Sequence, residues 1–331
     1  MDIDFLAIGD IVTEPFIRLK DARVHCNIDD DSCEICMRWG DKIPYDHFVL
    51  IPAVGNASNA AVAAARLGLK PALRAYIGKD RYGEDSLAVL AKEGVDTRYM
   101  VTDPVRPSNY HYVLWYETER TILVKHEEYD YTVPDTQAPA WVYLSSLAEN
   151  SLPYHQAIAL WLKKSPKTKL AFQPGTFQMK LGYDALKPLY EQSEIFFCNK
   201  SEAERILGIA AEDDKKKLLR GIQALGPKIV VITDDRKGAY ATADGHFYYI
   251  PMYPDARAPL ERTGAGDAFA ASVTSALALG LPLTEALLWG PINAMSVVQE
   301  VGAQKGLLSR AQLEEYIKKA PSDYALQPLA D

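Results

Sequence analysis

Five consecutive residues, Thr263-Gly264-Ala265-Gly266-Asp267, followed by Ala268-Phe-Ala-Ala-Ser-Val-Thr-Ser-Ala-Leu, hold the ingredients of anion chemistry. Two glycines and an alanine let backbone amides approach a ligand closely. The run after them is helix-forming, so free N–H groups and the positive end of the helix dipole face the same loop. Asp267 falls on the first turn, where a carboxylate can take a proton from an incoming hydroxyl. Phosphoryl transfer asks for little beyond such a base, positioning and charge stabilisation. Read alone, the pentapeptide is equally a glycine-rich turn with an acidic residue at a helix N-terminus. A second polar pair, Asn199-x-x-Glu202, has the spacing of a helix capping box.

These residues need a scaffold, and the apolar pattern supplies one. Phe5-Leu-Ala-Ile-Gly9 reads as a buried strand meeting a turn, and 56–67 as a helix closed by Gly68. Beyond about residue 140, short apolar strands (141–145, 170–172, 195–198, 229–233) alternate with helical stretches such as 154–163 and 201–207. That alternation implies a parallel sheet covered on both faces. Two early excursions, about 12–55 and 100–130, are polar or strand-like and form a small β lobe. In the second, Tyr110–Tyr116 and Thr121–Lys125 alternate around a turn at 117–120, which predicts a hairpin. The expectation is one α/β domain spanning 1–331 with a β-sheet lid.

Composition narrows the function. The 331 residues carry 36 basic and 44 acidic side chains, a formal net charge of −8, with no basic stripe to neutralise nucleic-acid phosphates. No apolar run approaches the roughly 20 residues that span a bilayer. The start, Met1-Asp2-Ile3-Asp4, has acid where a signal peptide needs positive charge, and four cysteines make no disulfide scaffold. A reducing cytoplasm is the expected location.

Taken together and in order, the motifs resemble the ribokinase-like (PfkB) family of carbohydrate and nucleoside kinases. After the opening strand come Gly55-Asn-Ala-Ser-Asn59, similar to a substrate-binding Gly-Gly-x-x-x-Asn helix, and Gly78-Lys-Asp80-Arg-Tyr-Gly83, with Glu93-Gly-Val-Asp96 beyond. Asn199-Lys-Ser-Glu202 matches Asn-x-x-Glu, Val231-Ile-Thr233 with Lys237-Gly238-Ala matches a nucleotide-side strand, and a late helix carries Asn293-Ala294. The resemblance implies a three-layer sandwich with a mostly parallel central sheet and a small β-sheet lid. It makes Asp267 the general base and the amides of Gly264, Ala265 and Gly266 the anion hole. Asn199 and Glu202 would organise Mg²⁺ through waters, with Asn199, Thr233, Gly238 and Asn293 beside ATP. Asp10, Glu14, Gly55 and Asn59 would face the acceptor, although Asn59 also reads as a helix cap. The absence of a Gly-x-x-x-x-Gly-Lys-Ser/Thr loop excludes the other large ATP-binding design.

Departures from the family pattern leave the acceptor open. Glu14 stands where Asp is usual, Val54 replaces a glycine, and Asp235 occupies another glycine position. Glu261-Arg262-Thr263 replaces Asp-Thr-Thr, which argues against K⁺ activation, and Arg262 beside the phosphate path could supply positive charge or be simply solvated. A sugar acceptor is the leading reading and a nucleoside the alternative, since the aromatic hairpin could stack on a base; a regulator without catalysis is the third. Cys26, Cys33 and Cys36 could hold a structural Zn²⁺, but the second half of a zinc signature is missing and packed or redox-idle thiols are favoured. Cys198 reads as core, and His111 and His126 as hairpin surface residues. Family members pair such lids, so a homodimer through the lid is also expected.

Overall fold

The structure is a computed structural model describing residues 3–27, 32–209 and 211–329. The acidic run Asp29–Asp31, which the sequence marks as irregular, lies outside the described residues, as do Met1 and Asp2.

Strand Phe5–Ile8 shows why the body has three layers. All four of its residues are buried, and they divide by parity. Phe5 and Ala7 join one apolar cluster, while Leu6 and Ile8 join the other, as the two-residue period of a strand requires. Among the described residues nine strands share this sheet, with Phe5–Ile8 between Pro71–Arg74 and Trp141–Leu144. Lys169–Phe172, Ser193–Asn199 and Ile229–Thr233 continue it in parallel. Ala239–Ala243, His246–Ile250 and Gln327–Pro328 close it antiparallel. One face is covered by helices Asn56–Arg66, Ala265–Ala278 and Leu283–Val297. Leu152–Lys163, Thr176–Gln192, Lys200–Leu207 and Lys215–Ala224 cover the other. Truncating a fully buried side chain such as Leu144 to Ala would cost about 2–5 kcal/mol, transfer and cavity together.

The two helices that meet at the site are joined by small side chains. Ala57, Ala60, Ala61 and Ala64 on one, and Ala268, Ala270 and Ala271 on the other, are all buried in the same cluster. Their close approach sets the start of Ala265–Ala278 beside the start of Asn56–Arg66.

The lid sheet runs Glu119–Leu123, Tyr112–Tyr116, Val12–Leu19, Tyr45–Val54, with Asn109–Tyr110 also paired to Val12–Leu19. Its second excursion starts at Asn109 and not at 100, because Val101–Asp103 pairs with Tyr76–Gly78 in a separate ladder. The hairpin turn is also tighter than 117–120. Tyr116 pairs with Glu119 and Trp115 with Arg120, so both later residues are strand positions.

The cysteines correct the zinc reading. Cys26 and Cys33 are joined by a disulfide across the ladder of Arg23–Asn27 with Ser32–Cys36, leaving Cys36 exposed and free. Two of the three thiols that zinc needed are thus engaged, and neither is an idle thiol. Cys198 is buried, as its apolar strand implies. No described helix is long and apolar enough to cross a membrane.

Candidate active site

Gly264 is the N-cap of helix Ala265–Ala278 and adopts φ 81°, the left-handed region that favours glycine. Space points the same way, since a Cβ there would lie 2.3 Å from the Cβ of Ala303. The amides that open this helix have no partner one turn back within it, and they border a cavity of about 340 Å³.

Asp267 projects into that cavity from the first turn. Its carboxylate is held on both oxygens. Asn56 donates from Nδ2 to Oδ1 at 2.8 Å, Asn59 from Nδ2 to Oδ2 at 2.8 Å, and Gln173 from Nε2 to Oδ1 at 3.3 Å. Burial among protein atoms raises its pKa above the ordinary Asp value, the three amide donors oppose that rise, and the negative charge of Glu14 adds to it. A carboxylate fixed in place and made more basic than usual is suited to accept a proton.

Asn199 and Glu202 form the capping box their spacing predicts: Glu202 N–H donates to Asn199 Oδ1 and Asn199 N–H to Glu202 Oε2, each at 2.8 Å. Both also line the cavity, so cap and site coincide. Burial raises the Glu202 pKa, opposed by the Asn199 amide and by Arg205, and Asp267 contributes to the rise. Thr233 pairs with Asn199 across the sheet and reaches the same space. Gly55 and Glu14 border it on the lid side.

Three expected site residues lie elsewhere. Asn293 is fully buried, donates to Ser272 Oγ and accepts from Leu308 N–H, so it ties helices together and does not border the cavity. Asp10 is buried with both oxygens taken, by His126 Nδ1 at 2.6 Å and Tyr131 Oη at 2.8 Å. Gly238 has φ 86° and packs on Ile250 and Tyr249, again off the cavity. Asn59 is not a cap: Gly55 caps that helix, and the Asn59 amide bridges Asp267 and Gln304. His111 and His126 are not surface residues. His111 is buried and His126 half-buried at the base of the lid, paired with Glu14 and Asp10 respectively. The hairpin rings of Tyr110, Tyr112, Trp115 and Tyr116 do not line the cavity, whose aromatic walls are Phe197 and Phe269.

The sequence reading missed Asn56, Gln173 and Arg120. Gln173 had a signal, being the first polar residue past the carboxyl end of a parallel strand, where α/β sheets place ligands. Asn56 and Arg120 had none, because their roles depend on partners 211 and 143 residues away.

An α/β sandwich with a β lid and an anion loop at a helix N-terminus is the architecture of a small-molecule phosphotransferase. A sequence model described as "pfkB family carbohydrate kinase" matches residues 44–310, and the chain belongs to that family, whose enzymes transfer phosphate to hydroxyl groups. It is 26% identical over 296 residues to "Ribokinase" of Bacillus subtilis, covering 84% of this chain and 92% of that protein. It is also 26% identical over 294 residues to "5-dehydro-2-deoxygluconokinase" of Clostridium perfringens, covering 82% and 85%. Among solved structures, that of Arabidopsis thaliana ribokinase complexed with ribose and ATP superposes with a TM-score of 0.80 at 18% identity, covering 96% of this chain and 99% of that one.

Proposed function

We propose that this chain is an ATP-dependent kinase that transfers the γ-phosphate to a hydroxyl of an uncharged sugar. The observation that carries this reading is Asp267, clamped by Asn56 and Asn59 beside the Gly264–Gly266 loop, whose Ala265 amide has only a long contact of 3.5 Å to the Arg262 carbonyl. The acceptor oxygen forms its bond to phosphorus as the bond to the ADP oxygen breaks, and its proton passes to Asp267 and later to water. The loop amides stabilise charge on the transferring group. The lid excludes water that would otherwise compete as acceptor.

Charge around the cavity selects the acceptor class. Glu14, Asn56, Asn59, Gln173 and Asp267 surround one end with carboxylates and amides, while the cations Arg120 and Arg262 stand with the anion loop. An acceptor already carrying phosphate or carboxylate would meet repulsion at the acidic end, whereas hydroxyls are matched by carboxylate and amide partners. The hairpin rings, absent from the cavity wall, give the nucleoside alternative no support.

The donors present suit Mg²⁺. Among the described residues no three His, Cys, Asp or Glu side chains cluster as a metal cage. Mg²⁺ requires none, since it keeps most of its water and takes one or two carboxylates plus phosphate oxygens. Glu202, with the Asn199 carbonyl, would hold it through water, and the ion supplies neutralising charge to the phosphates.

The lid also carries an open edge. Tyr45–Val54 is the outer strand of its sheet, with Tyr45, Phe48, Val49 and Leu50 exposed. A second copy pairing this strand about a two-fold axis would satisfy both edges at once.

The test is Mg-ATP turnover across pentoses, hexoses, their phosphates and nucleosides. Turnover on a neutral sugar, lost in Asp267→Asn with nucleotide binding kept, is the expected result. Retained turnover in that variant removes Asp267 from the mechanism, and selective turnover of a sugar phosphate or nucleoside overturns the acceptor assignment.

A further inference from the structure

We propose that Arg120, carried on the lid hairpin, is a further catalytic residue that contacts the transferring phosphate, so that lid closure itself completes the anion site. This rests on the kinase reading above and extends it to the lid.

Arg120 sits on lid strand Glu119–Leu123 and lines the cavity with the anion loop. Its Nε donates to Thr263 Oγ1 at 3.0 Å, 143 residues away and directly before Gly264. Thr263 in turn donates from its amide and its hydroxyl to Oε1 of Glu261, which has no solvent exposure and stands 3.8 Å from Arg120 Nε. The guanidinium is therefore oriented through its inner nitrogen. Its two terminal nitrogens make no hydrogen bond to a described residue, and Nη1 stands 3.9 Å from Glu119 Oε2. Two adjacent nitrogens of a rigid planar fork are thus left without a hydrogen-bond acceptor, on a residue that lines the cavity together with Gly264–Gly266, and such a fork matches phosphate oxygens.

Arg262, the cation the sequence places beside the phosphate path, is differently committed. Its Nη1 is 3.1 Å from Glu119 and 3.4 Å from Asp235, so its charge joins lid to body. Both links converge on the hairpin tip, Glu119 through Arg262 and Arg120 through Thr263. Withdrawal of the lid breaks both, and it removes the Arg120 guanidinium, with its two unbonded terminal nitrogens, from the anion loop. The phosphate site is then complete only with the lid down, which ties charge stabilisation to water exclusion.

The experiment compares Arg120→Gln, Arg120→Lys and Arg120→Ala with the parent, using Mg-ATP and the best acceptor of the sugar panel. Arg120→Gln should lower kcat by about 10²-fold or more, the scale for removing one preorganised donor. Acceptor KM should stay within about threefold while ATP affinity falls about fivefold and ADP affinity holds, because the contact is to the terminal phosphate. Arg120→Lys should fall between, and guanidinium ion should partly restore Arg120→Ala, which a purely structural role would not allow. A kcat within about threefold of the parent, or equal losses of ATP and ADP affinity without guanidinium rescue, overturns the proposal. A parent silent on every acceptor refutes the kinase reading instead, and the ATP-to-ADP comparison then still decides Arg120; failure to bind ATP at all overturns both.

Discussion

Removing the Asn56 amide should move the acid limb of the pH–rate profile upward. Under the proposed mechanism Asp267 must be ionised to accept the acceptor proton, so activity should fall as pH drops through its pKa in the enzyme. Burial already holds that pKa above the usual Asp value, with the Asn59, Gln173 and Asn56 donors pulling against it. Asn56 gives one hydrogen bond at 2.8 Å to Oδ1 and makes no other side-chain hydrogen bond among the described residues, so Asn56→Ala isolates that donor. Position 56 opens helix Asn56–Arg66, where Ala is a better helix former than Asn, so folding should not suffer.

A hydrogen bond to a charged group contributes about 1.5–3 kcal/mol, and one pKa unit corresponds to about 1.36 kcal/mol. Asn59 and Gln173 remain, so the lower end applies and the limb should rise by about one pH unit. Glu14→Gln has the opposite sign. Its negative charge raises the Asp267 pKa, so its removal should lower the limb. The assay is kcat against pH at saturating Mg-ATP and acceptor, with Asp267→Asn as the zero. If Asn56→Ala leaves the limb in place or moves it down, or if both variants shift the same way, Asp267 is not the group whose ionisation limits the reaction.

Gly264→Ala should lose more than tenfold in kcat, since it meets both the φ of 81° and the Ala303 Cβ; adding Ala303→Gly should restore only the steric part, read as kcat of single and double variants. Asn293→Ala should lower stability by about 1–3 kcal/mol in denaturant titration, leaving the Leu308 amide unpaired, while ATP KM stays within about twofold. Glu261→Gln tests a buried charge: burial raises its pKa, opposed mainly by Thr263, so the folded state holds that proton more tightly than the unfolded chain. Stability is then lost as pH rises through the carboxylate range, and the variant should melt a few degrees higher than the parent at pH 7, by about 2 °C per kcal/mol, with the gap closing towards pH 4.

The body of this protein was legible because its signals are local. Leu6 and Ile8 face one cluster and Phe5 and Ala7 the other within a single short strand, and Asn199 caps its own helix through Glu202, three residues on. The loop 263–267 was legible for the same reason, as glycine torsion, helix start and carboxylate all lie within one turn. What stayed hidden depends on closure between distant segments. Asn56 looks like any residue at a helix start, and only the approach of the two alanine-faced helices turns its amide toward Asp267. Asn293 misled in the other direction, for a polar residue near a binding loop reads as a ligand contact until its partners prove to be Ser272 and the Leu308 amide. His111 and His126 show the same limit, since alternation along a hairpin reports two faces but not which is covered. The lid is where this matters most. Glu261 departs from the family pattern and read as the loss of a cation site; in the fold it is a buried carboxylate beneath Thr263 with Arg120 above, so a substitution in the body and an arginine in the lid form one unit. A fully buried carboxylate with its second oxygen unpartnered among the described residues costs folding free energy, so under the proposed mechanism this unit is expected to act on the transferring phosphate and not on stability. The Glu261→Gln variant should therefore separate the two quantities, gaining melting temperature at neutral pH while losing turnover.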